Sequence, residues 1–61
     1  MLQEIVYELL RQVRRKEFPK KLIMNYIDYR ILVHELESQD FDSLFTLKIV
    51  IVKNITKFKI V

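Results

Sequence analysis

Residues 44–61 constrain this chain most, because β-branched side chains crowd the segment: Thr46, Ile49, Val50, Ile51, Val52, Ile55, Thr56, Ile60 and Val61. A helical spacing also runs through it (Leu44, Leu47, Ile51, Ile55, Phe58). Branched side chains lose rotamer freedom in a helix and pack well on a pleated surface, so strands are expected. Lys53-Asn54 is the turn candidate, since Asn tolerates left-handed torsions. The expectation is a hairpin over about 44–52 and 55–61. A two-residue loop pairs Val52 with Ile55, Ile49 with Phe58 and Leu47 with Ile60. One face then holds Leu47, Ile49, Ile51, Thr56, Phe58 and Ile60. The other holds Lys48, Val50, Val52, Ile55, Lys57, Lys59 and Val61. A slip of one residue would put Lys59 on the apolar face. The same register sets Lys48 opposite Lys59, a like-charge pair that an acidic neighbour would relieve.

An isolated hairpin is marginal in water, so the rest of the chain must cover it. Leu2, Val6, Leu9 and Val13, flanked by Ile5 and Leu10, predict an amphipathic helix over about 2–16. Gln3, Glu4, Glu8, Arg11, Gln12 and Arg15 are expected to face away. Pro19 breaks that helix and suits the first position of the next. Leu22, Tyr26, Tyr29, Val33 and Leu36, with Ile23, Ile27, Met24, Ile31 and Leu32 beside them, predict a second helix over about 19–38. Its apolar surface is wider than one stripe, which implies cover on more than one side. Ser38-Gln39-Asp40 ends it, and Asp40–Ser43 forms a polar connector. The fold class that follows is α+β, with two antiparallel helices and then a hairpin (ααββ), as a single small domain spanning 1–61 and completed by dimerisation.

Dimerisation enters because 61 residues bury a small core, and short chains commonly add disulfides, metals or oligomerisation. The sequence has no Cys and a single His, His34, so neither disulfides nor a Cys/His metal site is expected. No Gly occurs, which removes glycine-rich phosphate loops. His34 with Ser38 lacks an orienting third group and an oxyanion hole, and Asp40 with Asp42 lacks further cation ligands. No catalytic residue, cofactor or metal is therefore expected, and the chain reads as non-enzymatic. The longest apolar run, Ile49–Val52, is far too short to span a membrane. No cationic start precedes an apolar stretch, so a signal peptide is not expected. The expected location is the cytoplasm, the host's if the source is viral. Abundant Ile, Lys and Leu without Ala, Gly or Trp suggest an AT-rich genome and a protein of phage or plasmid type.

Net charge is +3 and is distributed in alternating blocks. Residues 1–10 carry −2, 11–21 carry +5, 22–43 carry −4 and 44–61 carry +4. Two functional expectations follow. The first is a small interaction or regulatory protein acting as a homodimer through its hairpin edge and second helix, with or without a further protein partner. Its self-association candidates are Tyr26, Tyr29, Ile31, Val33, Ile49, Ile51, Phe58 and Ile60. The second is a small DNA- or RNA-binding regulator. It would use the basic corner Arg11, Arg14, Arg15, Lys16, Lys20 and Lys21 with the lysines Lys57 and Lys59, extended by Lys48 and Lys53. The same residues suit an acidic protein partner, or serve only as a solvated corner and as guards of strand edges. Tyr7, Tyr26, Tyr29 and Phe18 could stack on bases, though helical spacing also suits them to core or subunit contacts.

Overall fold

The structure, a computed structural model, describes residues 1–61. It is α+β, with two helices and a four-stranded mixed sheet. The first helix, α1, spans Leu2–Arg14 with Glu4 in its first turn and Arg11 and Arg14 in its last, charges that suit the helix dipole. Its buried face centres on Ile5 and Gln12, with Leu2 and Leu9 packed beside them. The stripe is thus rotated from the expected one: Val13 is exposed and Gln12 points inward. The rotation is stabilised by a polar contact, since Gln12 Nε2 donates to the Ile60 carbonyl at 2.9 Å. Lys16, at φ 60°, closes the helix. The N–H groups of Lys16 and Glu17 return to the carbonyls of Val13 and Gln12, a Schellman cap made without glycine.

The second helix is shorter than expected. Within 19–38, Lys21–Met24 is a strand, β1, and only Tyr26–Glu35 is helical, α2. Asn25 makes the division. Its backbone is extended (φ −81°, ψ 167°) and its Oδ1 accepts from the Asp28 N–H at 2.7 Å, an N-cap that fixes the helix start. The unusually wide apolar surface has its explanation here, because Leu22, Ile23 and Met24 belong to a sheet. At the far end Glu37 adopts φ 49°. The Glu37 and Ser38 N–H groups return to His34 and Val33, again a Schellman cap.

Three strands follow: β2 (Ser43–Leu44), β3 (Leu47–Ile51) and β4 (Lys59–Ile60). The sheet order is β2-β3-β1-β4, so the expected hairpin over 44–52 and 55–61 is replaced. β1 lies between β3 and β4, parallel to the first and antiparallel to the second, with Leu22 abreast of Ile49 on one side and Ile60 on the other. Inserting β1 surrounds Leu22 and Met24 with apolar neighbours, and both are fully buried. Each such burial stabilises by about 1.5–3 kcal/mol, which a bare hairpin would forgo. Lys53-Asn54 therefore closes no hairpin. Residues 52–58 instead cross past the end of β1, where Asn25 Nδ2 donates to the Ile55 carbonyl at 2.9 Å. The tight turn is Phe45-Thr46, which joins β2 to β3 with Leu44 opposite Leu47.

The core comprises Ile5, Leu22, Met24, Tyr29, Leu32, Val33, Leu47 and Ile60. Its strand members all lie on one side of the sheet by register, so both helices cover that side and leave the other open. Polar contacts tie the helical layer together. Glu35 receives the Leu2 N–H at 2.8 Å and the terminal amine of Met1 at 3.0 Å. The Tyr29 hydroxyl donates to the Phe41 carbonyl at 2.8 Å and accepts from the Phe41 N–H at 2.9 Å, anchoring the connector. No helix is long and apolar enough to cross a membrane.

Candidate functional site

Alternation along a strand sends successive side chains to opposite faces, and the register fixes which residues share the uncovered one. Across the sheet, Ser43, Lys48, Lys21 and Val61 form one row, and Val50, Ile23 and Lys59 form the next. Lys21, Lys48 and Lys59 are exposed, while Ile23 and Val50 are half-buried between them. Lys21 stands directly abreast of Lys48 on neighbouring strands, which lie about 4.8 Å apart. Like charges so placed destabilise the sheet modestly. The anticipated opposition of Lys48 and Lys59 does not occur, because β1 separates them.

No acid forms an ion pair with either lysine. All eight Asp and Glu lie within residues 4–17 and 28–42, leaving none in 18–27 or 43–61, the segments that build the sheet. Every ion pair uses an arginine or the chain amine: Arg11 with Glu8, Arg15 with Glu17, Arg30 with Asp40, and Met1 with Glu35 and Glu4. No lysine takes part in one.

The basic corner is partly assembled. Arg11, Lys57 and Lys59 line an open groove of about 820 Å³ between α1 and β4, which Glu4 and Glu8 also line and to which Tyr7, Phe58, Ile60 and Val61 give apolar surface. Arg14, Arg15 and Lys16 stand exposed at the end of α1, and Lys20 and Lys21 lead into β1. Arg11 and Arg15 are already engaged by Glu8 and Glu17, so the corner's free charge is carried mainly by its lysines and Arg14.

The self-association candidates separate into two groups. Tyr29, Val33 and Ile60 belong to the core, and Ile49 and Phe58 pack against it, so these five are committed within the chain. Tyr26, Ile31 and Ile51 remain exposed, joined by Ile27 at 74%. The β4 edge is obstructed where Gln12 occupies the Ile60 carbonyl. His34 is exposed, and no three potential metal ligands converge anywhere. The Glu35 carboxyl is held below its ordinary pKa by the Leu2 N–H and then by the terminal amine, a contact that joins the helices rather than one on the open face. Phe45 is exposed and escaped the sequence reading, because no glycine or asparagine marked its turn.

No protein-family model matches this sequence, and no curated protein or solved structure is significantly similar to it.

Proposed function

We propose that this chain is a small, non-enzymatic binding protein, regulatory in role and cytoplasmic, that holds an acidic macromolecule on the uncovered face of its sheet. One observation carries the reading: Lys21, Lys48 and Lys59 share a face of a sheet whose strands carry no acid, and none of the three is in an ion pair. Leaving unpaired like charges abreast costs stability, and an anionic partner would recover it. The lysines also argue against face-to-face pairing of two copies, which would press the same charges together. Ile23 and Val50 supply apolar area at the centre of the patch.

Retention on immobilised heparin, a generic polyanion, tests the proposal. Changing Lys21, Lys48 and Lys59 together to Gln should move elution to markedly lower salt, because each lost contact releases fewer counterions. Unchanged elution, with the fold intact, would sink the reading.

A second reading, self-association through α2, is favoured by the exposure of Tyr26, Ile27 and Ile31 on a helix whose opposite side is in the core. It is compatible with the first, since the surfaces lie on opposite layers.

A further inference from the structure

Two exposed aromatic rings lie at one end of the sheet, Phe18 beside Glu17 and Val61 and Phe45 in the β2–β3 turn. Phe18 precedes Lys21 by three residues and Phe45 precedes Lys48 by three. Because β1 and β3 run parallel with Lys21 abreast of Lys48, both rings lie at the end of the sheet where these strands begin. Phe18 is 76% exposed and Phe45 49%, and neither belongs to the core.

Phe45 is presented at an energetic cost. The turn takes positive φ at both central residues, 51° for Phe45 and 67° for Thr46, the pair of left-handed torsions that a type I′ hairpin requires. Asn-Gly satisfies that demand; Phe-Thr resists it, and a β-branched residue there is a true outlier. Strain that the fold could shed with commoner turn residues points to a use for the residues present.

Resting on the reading of the sheet face given above, the geometry points to single-stranded nucleic acid as the acidic partner. Lys21 and Lys48 would contact successive phosphates, with Phe18 and Phe45 stacking on unpaired bases. A nucleotide strand offers phosphate and a flat π face at every step, matching lysines beside aromatic rings. A duplex keeps its bases stacked within the helix and offers nothing to the two rings. An acidic peptide supplies carboxylates but no ladder of flat faces. Lys16 and Lys20 lie on the segment leading into β1, after Arg14 at the end of α1, and add positive charge at the same end, where Glu17 is taken up by Arg15.

The test uses the full chain and fluorescently labelled 15-mers of oligothymidylate and oligouridylate, a duplex of equal length, and polyglutamate. Both single strands or one of them should bind about tenfold tighter than duplex, with affinity falling steeply as salt rises. Phe18→Ala and Phe45→Asn should each weaken single-strand binding about tenfold, the loss expected for one stacked base. Phe45→Asn should meanwhile raise the melting temperature, because Asn tolerates left-handed torsions. A Lys21→Glu/Lys48→Glu double variant should abolish binding while retaining its circular dichroism. Equal affinity for duplex and single strand, or phenylalanine variants that bind like the parent, would overturn this inference and leave the lysine face standing. Lysine-dependent binding of polyglutamate alone would do the same. Failure to bind any of these polyanions would overturn both.

Discussion

The two layers of this molecule handle charge in opposite ways. The sheet-forming segments, 18–27 and 43–61, hold six lysines and no acid, for +6; the remaining residues hold five bases and eight acids, for −3; together these give the net +3. The charges outside the sheet are largely engaged, closing the α1 cap region, joining α1 to α2 through Glu35 and fastening Asp40 to Arg30. Those on the sheet are unengaged. The difference teaches that one strand can serve both purposes: alternation gives β1 its buried Leu22 and Met24 on one side and its free Lys21 on the other. Apolar packing resides on the covered face and unpaired charge on the open one.

That division can be broken experimentally. Leu22→Ala removes a fully buried side chain from the central strand and should cost about 2–5 kcal/mol in urea unfolding, enough to unfold much of a small domain. Lys48→Gln should change stability by less than about 0.5 kcal/mol, or raise it slightly by removing repulsion with Lys21. Should it cost as much as Leu22→Ala, the lysine face would be structural and the comparison would fail. The smallest effect concerns the helical layer. Glu35 has a lowered folded pKa, so its contribution is present above the ordinary value of 4.5 and is lost as pH falls through the lowered one. Acid titration of Glu35→Gln, followed by thermal melts, should therefore show less destabilisation across that range than the parent. Parallel curves would mean that Glu35 contributes nothing to holding the helices together.

Much of this arrangement was legible in residue parity. The sequence sorts Leu47, Ile49, Ile51 and Ile60 to one face and Lys48, Val50, Lys59 and Val61 to the other, and the structure keeps that sorting. What parity cannot reveal is the partner strand. Leu22, Ile23 and Met24 fit a helical stripe and a strand equally well over so short a span, and only Asn25 with Asp28 three positions on marked the change. The turn was hidden for a different reason. In a chain without glycine, left-handed residues must be drawn from other types, here Lys16, Glu37, Phe45 and Thr46. None of them signals a turn by composition. Gln12 looked like solvent-facing helix surface because its acceptor, the Ile60 carbonyl, is distant in sequence.

The central place of β1 also bears on how the chain reaches its fold. Lys21 pairs across 27 residues with Lys48, and Leu22 across 38 with Ile60. High sequence separation slows folding, because loop closure must precede the reward of pairing. Until both flanking strands arrive, β1 presents two unpaired backbone edges and an uncovered apolar row. A chain interrupted before Lys59 would leave one of those edges permanently open, in the form that recruits other strands and seeds aggregation. The same strand that organises the finished sheet is thus the greatest hazard of the unfinished one.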